Sequence, residues 1–335
     1  MTPESALKAY EAWMRRERLA PLTRESYYGW AERYFAFSKL NRKGTAEETI
    51  SAFLSSYQKH SEATVKQALN ALAGKSGFFR ALGKELEELP PWVNPSRPAN
   101  IPTWVTQMET EAIMTQLVEA WALMAGLMFG SGLRIGECVA LRWRDIDFER
   151  LTVTIRRGKG NKDRVTVLSR RLVEPLKARM ARCRALYDED RARGREGVAM
   201  PEGMDLKFRN MGKDWAFFWV FPAKGESKDP ETGMVRRHHL HKKAFGAALR
   251  IAVRRAGLAK RVTAHTFRHG FATAYLLAGG NLRELQRLLG HSHLETTEIY
   301  LHCLPNECDR IGSPWDVEQV RPEPSKIISP IFRIA

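Results

Sequence analysis

Apolar side chains near the N-terminus recur at helical spacing. Ala6, Tyr10, Trp13 and Met14 fall on one face, and Tyr27, Trp30 and Tyr34 repeat the pattern, with the three-to-four-residue period of amphipathic helices. Thr45 followed by Glu48 spells a capping box that opens a third helix, and Ser61 can cap a fourth running to about Ala81. A small helical bundle over residues 4 to 83 is predicted. Arg24, Lys66 and Lys75 occupy its polar positions, either as phosphate contacts or as ordinary solvated charges. The period then stops at Pro90-Pro91-Trp92-Val93-Asn94-Pro95-Ser96-Arg97-Pro98. Prolines at this density cannot continue a helix and mark an extended linker.

Thr106 and Glu109 restart helical structure, which continues from Gln107 to Ala140. Leu151 to Ile155 and Arg164 to Leu168 alternate as strands around the basic turn RRGKGNKD, a β-hairpin with a charged tip. Helix resumes from Arg170 to Leu186. Residues 188 to 236 read as irregular, yet they hold Trp215, Phe217, Phe218, Trp219 and Phe221. Disordered chain is poor in aromatics, so a functional insertion is the expectation. Helices follow over Leu240 to Ala256, His265 to Ala278 and Leu282 to Leu289, and a last short one should carry Tyr300. The fold class expected is mainly α with a small antiparallel β-sheet. The domains expected are a helical DNA-binding domain over 1–88, a linker over 89–102, a catalytic domain over 103–312 with its insertion at about 188–239, and a tail over 313–335.

Charge changes the picture most. Lys and Arg number 54 against 38 Asp and Glu, a formal net charge of +16, which points to a polyanionic partner, most often nucleic acid. No stretch approaches the roughly 18 apolar residues that span a bilayer, and the start MTPESALKAYEAW lacks a signal peptide's cationic and apolar segments. Cytoplasmic location, associated with the bacterial nucleoid and with no membrane partner, is the expectation. Cys138, Cys183, Cys303 and Cys308 lack CxxC spacing and read as reduced thiols.

The chemistry lies in an ordered set. Gly130-Ser131-Gly132-Leu133-Arg134 places an arginine where glycines allow close backbone approach. Lys159 sits in the hairpin turn. His265-Thr266-Phe267-Arg268-His269 opens a helix, with His265 and Arg268 on one face. Leu289-Gly290-His291 ends another, and Tyr300 comes nine residues after His291. Attack on a phosphodiester builds charge on the non-bridging oxygens, which guanidinium groups bind bidentately without losing their own charge. A tyrosine is a competent nucleophile once its proton leaves, and a histidine can take that proton. The leaving alkoxide needs an acid, which a hairpin lysine can supply. Taken singly, each of these residues has a duller reading as a surface, capping or core group; the order of the set is the signal. No acidic cluster suggests two-metal nuclease chemistry, and His238, His239 and His241 lack the partners of a metal site. No metal or other cofactor is expected.

This ordered set resembles the tyrosine recombinase (phage integrase) family over residues 103 to 305, and the N-terminal bundle resembles that family's SAM-like core-binding domain. The resemblance implies Tyr300 as nucleophile through a 3′-phosphotyrosyl intermediate, Lys159 as general acid and His265 as general base. It implies Arg134, Arg268 and His291 as phosphate binders, and Glu137 as the residue that orients Arg134. Phe267, Gly270 and Leu301 depart from the family's usual residues without touching a catalytic position. The segment from Trp215 through Asp229-Pro230 to His238-His239 is similar to the extra segment of integron integrases, which exchange gene cassettes between a duplex attI site and a folded single-stranded attC hairpin. The resemblance implies that Trp215, Phe217, Trp219, Pro230, His238 and His239 hold extruded bases, with Arg156 at a further contact. Aromatic faces suit that task because they stack bases with little regard to sequence; burial in a small satellite core is the competing use of the same residues. Family resemblance also implies four protomers on two DNA sites, with free chains monomeric, and a tail from Ile311 to Ala335 that docks on a neighbour or frays.

Three other readings stay open at this point. One is a phage-type or dimer-resolving recombinase acting on duplex sites. Another is a type IB topoisomerase, which relaxes DNA without exchanging partners. The last is an architectural DNA-binding protein without chemistry.

Overall fold

The computed structural model describes residues 2–41, 44–57, 59–86, 102–156, 163–200, 208, 210–229 and 233–303. The proline-rich linker from Pro90 to Pro98, the hairpin tip with Lys159, Pro230, and the C-terminal tail all lie outside these residues. The chain divides into two units, Met1–Asn100 and Ile101–Ala335.

In the first unit the apolar faces foreseen in the sequence close on one another. Helices α1 (Pro3–Arg16), α2 (Pro21–Leu40), α3 (Ala46–Ser55) and α4 (Glu62–Ala73) are followed by a single turn, α5 (Phe78–Ala81). Thr45 and Glu48 form the reciprocal capping box, and Ser61 Oγ accepts from the Thr64 amide. Tyr10, Trp30, Tyr34, Phe53, Phe78 and Phe79 make an aromatic core with mostly edge-to-face contacts. Tyr10 Oη donates to the carbonyls of Ala71 and Ser76 at 3.0 Å each, which satisfies its buried hydroxyl. The fourth helix stops at Ala73 instead of continuing to Ala81. A Cβ at Gly77 would stand 2.6 Å from the Leu72 carbonyl oxygen, so the chain turns there through a residue that only glycine can fill.

The second unit is built around α7 (Glu119–Ser131), whose Met124, Ala125, Leu127 and Met128 are fully buried. It packs against α6 (Gln107–Thr115), opened by the predicted Thr106–Glu109 capping box, and against α11 (Ala264–Leu277). Between them in sequence come α8 (Ile135–Val139) and an antiparallel sheet of β1 (Ile146–Asp147), β2 (Thr152–Ile155) and β3 (Arg164–Val167). Thr152 pairs with Val167 and Ile155 with Arg164, the predicted hairpin; β1 was too short to carry a pattern. After α9 (Val173–Ala192), the stretch read as irregular contains a second sheet, β4 (Pro222–Lys228) antiparallel to β5 (Val235–His239). Its strands hid because β4 carries Pro and Gly and β5 buries two arginines: Arg237 makes a bidentate pair with Asp190 of α9 at 2.5 and 2.7 Å, and Arg236 pairs with Asp229 at 2.7 Å. Helices α10 (Lys242–Arg255), α12 (Leu282–Leu289) and α13 (Glu295–Glu298) complete the unit. Tyr300 is not on a helix as expected; it stands in the turn between α13 and a 3-10 turn at Leu301–Cys303. Among the described residues no helix is long and apolar enough to cross a membrane.

Candidate active site

Two helix ends and one helix start converge on Arg268. Gly132 ends α7 in the left-handed region at φ 67°, and a Cβ there would meet the Phe271 ring at 2.6 Å. Gly290 ends α12 in the same way at φ 65°. Buried in the first turns of α11, Arg268 donates Nη1 to the Gly132 carbonyl at 2.5 Å and Nη2 to the Leu289 carbonyl at 2.6 Å. Orphan carbonyls at both helix ends are thereby capped by one guanidinium. Its Nη2 also lies 3.1 Å from Nε2 of His291, whose Nδ1 is 3.0 Å from Thr297 Oγ1. Burial, with Arg134 nearby, lowers the Arg268 pKa to about 9, so it stays charged at neutral pH.

Tyr300 closes this cluster. Its side chain is buried, its ring lies parallel to that of His291 with centroids 6.3 Å apart, and its hydroxyl is 3.1 Å from Nδ1 of His269. Burial raises the phenol's pKa, while the charges of Arg268 and Arg134 work in the opposite direction. Arg134 leads into α8, and both its amide and its Nη1 donate to Glu137, at 2.8 and 2.9 Å. The expectation that Glu137 holds Arg134 therefore matches this contact. Glu137 holds more than that: Arg164 of β3 grips it through Nη1 and Nη2 at 2.8 and 2.6 Å and donates Nε to the Leu288 carbonyl at 2.9 Å. Burial alone would raise the Glu137 pKa, but its hydrogen bonds to Arg164 and Arg134 bring it down to about 2.

His265 stands at the first turn of α11 and is partly desolvated, which, with the charges of Arg268 and Arg134, lowers its pKa. It lines a cavity of about 610 Å³ with Arg134, Arg142, Arg144, Arg156 and Lys242, a cationic recess suited to a phosphate backbone. Of the sequence-predicted catalytic set, Arg134, His265, Arg268, His291 and Tyr300 are thus brought together; Lys159 lies outside the described residues. Sequence reasoning missed Arg164 and gave His269 no role, although its spacing of four from His265 placed it on the same helical face.

Two of the residues expected to hold bases, Phe217 and Trp219, are buried. Phe217 is buried beneath the Arg144 guanidinium, 4.0 Å from its ring centre. Trp219 is buried with Arg142 at 4.0 Å over its face, His239 at its edge, and its indole N–H donating to the Arg237 carbonyl. Trp215, half-buried, stacks on Trp143 and Phe218 with centroids 5.8 Å from each. The expectation that Phe217 and Trp219 offer free stacking faces is therefore corrected: they join the main core of the unit, held by side chains some seventy residues upstream in the sequence. His238 and His239 are half-buried, and burial lowers the His239 pKa. Arg156 is engaged by Asp145 at 2.8 Å while keeping 45% of its side chain exposed.

A buried tyrosine hydroxyl among arginines and histidines has the groups that covalent phosphoryl transfer on a polyanion requires. Known proteins agree with that class. The description "Phage integrase family" matches residues 103–307, and "Phage integrase, N-terminal SAM-like domain" matches residues 7–88. An Escherichia coli protein named "Integrase/recombinase" is 38% identical over 304 residues, covering 88% of both chains. Tyrosine recombinase XerA of Thermococcus onnurineus is 30% identical over 300 residues, covering 88% of this chain and 89% of its own. The solved structure of XerH recombinase in its pre-cleavage complex with difH has a TM-score of 0.58 at 20% identity, covering 94% of this chain and 85% of that one. The chain belongs to the phage integrase family, the tyrosine site-specific recombinases.

Proposed function

We propose that this recombinase cuts and rejoins DNA through Tyr300, and that it works as an integron integrase, exchanging cassettes between a duplex attI-like site and a folded single-stranded attC-like hairpin. The observation that carries the catalytic part is the cluster of Tyr300, Arg268 and His291, linked by a 3.1 Å contact between Arg268 and His291 and by ring stacking of His291 on Tyr300. A phosphodiester entering from the cationic recess meets Arg134 and Arg268, each anchored by groups that need not rearrange when charge develops. A preorganised donor of this kind contributes about 3–4 kcal/mol to the barrier reduction. The phenol oxygen attacks phosphorus, the 5′-oxygen leaves with a proton from Lys159, and the 3′-phosphotyrosyl bond keeps the energy of the broken linkage. Rejoining by an incoming 5′-hydroxyl then needs no nucleotide cofactor.

The integron part rests on the insertion between α9 and α10. It is a folded element, tied to α9 by Asp190 and Arg237, and it exposes Lys224, Lys228, Met234 and Val235 around its β4–β5 hairpin. Cationic and apolar groups side by side suit a backbone with extruded bases. Phe217 and Trp219 are committed to the core, whereas Trp215, His238 and His239 are half-buried. A second reading within the same family is recombination on duplex sites alone. Affinity for a folded hairpin with extruded bases, compared with fully paired duplex at fixed salt, separates the two; equal or weaker hairpin binding sinks the integron reading. Recombination between two sites by four assembled protomers is expected, and relaxation without exchange would instead mark a topoisomerase.

A further inference from the structure

We propose that His269, not His265, is the base that takes the proton from Tyr300; this rests on the catalytic reading given above. His269 Nδ1 lies 3.1 Å from the phenol oxygen, within the range for direct proton transfer. Their rings are 5.5 Å apart and inclined by 53°, so the imidazole edge faces the hydroxyl. The other two histidines are placed differently. His265 stands one ring further out, its centroid 6.3 Å from that of His269, and it lines the cationic cavity with Arg134. His291 lies flat against the Tyr300 ring, with Nε2 engaged by Arg268 and Nδ1 by Thr297. That arrangement suits a support for the Tyr300 ring and for Arg268.

Electrostatics agree with this division. The groups facing His269 are Tyr300 from the turn after α13, and His265 and Arg268 on its own helix. Burial, with His265 and the Arg268 guanidinium nearby, lowers its pKa to about 4, so at neutral pH the ring is uncharged. With its proton on Nε2, the ring offers the Nδ1 lone pair to the phenol. Before substrate binds, the proton stays on the tyrosine, whose own pKa is raised by burial. A bound phosphodiester brings negative charge next to Arg134 and Arg268 and so favours an imidazolium beside them. The proton then moves as the new bond forms: Tyr300 O–H breaks with its proton passing to Nδ1, the oxygen bonds to phosphorus, and the P–O5′ bond breaks with the 5′-oxygen taking a proton from the general acid. On rejoining, the phenolate leaves phosphorus and recovers its proton from His269.

The test is the rate of covalent adduct formation on two suicide substrates, one with an ordinary scissile phosphate and one with a 5′-bridging sulfur, whose thiolate leaves without an acid. His269→Asn keeps a hydrogen-bond acceptor near Nδ1 but cannot accept a proton. It should slow adduct formation roughly 10²–10³-fold at pH 7 on both substrates with unchanged DNA affinity, and the rate should climb with pH to 9.5 as hydroxide takes over. A rate within threefold of wild type, or a loss cured by the sulfur substrate, overturns the inference. If His269→Asn melts early or binds DNA weakly, His269→Ala with added imidazole decides: recovery supports the role and no recovery overturns it. A wild type that forms no adduct at all overturns the catalytic reading together with this inference, whereas an active wild type with an indifferent His269→Asn overturns this inference alone.

Discussion

Glu137→Gln removes the negative charge that three arginines share. The carboxylate is bonded to Arg164 and Arg134 and stands 4.0 Å from Arg268, and the side chains of Glu137, Arg164 and Arg268 are 10%, 9% and 3% exposed. A drop in its pKa from 4.5 to about 2 corresponds, at about 1.36 kcal/mol per pH unit, to roughly 3 kcal/mol of folded-state stability at neutral pH. Because the folded pKa is the lower one, that contribution is complete above about pH 4.5 and disappears as pH falls toward 2. Amide replacement leaves buried guanidinium groups without their counter-ion, a change of the same size, about 3–5 kcal/mol. For a unit of this length each kcal/mol is worth about 2–4 °C, so the main calorimetric transition should fall by about 6–20 °C at pH 7. The gap between wild type and Glu137→Gln should narrow between pH 5 and 3. A melting temperature within about 2 °C of wild type at pH 7, or a gap that does not change with pH, would refute the reasoning. Cleavage should fall as well, since Arg134 loses the group that fixes its direction.

Gly132→Ala forces a side chain into a left-handed position with the Phe271 ring 2.6 Å from the new carbon. It should cost about 1–3 kcal/mol in urea denaturation and slow cleavage by moving the carbonyl that anchors Arg268; an unchanged midpoint would contradict this. Asp190→Asn leaves Arg237, whose side chain is 4% exposed, without its charge partner. A loss of about 3–5 kcal/mol is expected, with hydrogen exchange rising first in β4 and β5; uniform protection would show that the pair does not hold the insertion. Trp219→Ala should destabilise the unit by about 3–5 kcal/mol and weaken hairpin and duplex binding alike. Selective loss of hairpin binding in a stable protein would restore Trp219 as a base platform.

What the sequence could reveal was whatever had a local period or a short motif. Helix starts at Thr45, Ser61 and Thr106 were legible because a cap is a contact over three residues. Arg134, His265, Arg268, His291 and Tyr300 could be picked out as a candidate set because they follow one another in a fixed order, most of them within short motifs. Arg164 was not, since its meaning lies in partners 27 and 124 residues away, Glu137 and Leu288. The aromatic knot misled for a related reason. Its composition suits stacking on bases or burial equally well, and the choice was made by Arg142, Trp143 and Arg144 upstream, which cover the rings. His269 was visible as a residue but not as a partner, because the turn that brings Tyr300 to it has no period of its own.

The most direct test of the account is to trap the reaction on a suicide DNA site and map the covalent bond by mass spectrometry. A 3′-phosphate ester on Tyr300 is predicted, absent from Tyr300→Phe while that variant binds the site with wild-type affinity. A bond to any other residue, or an adduct that survives Tyr300→Phe, would contradict the central claim.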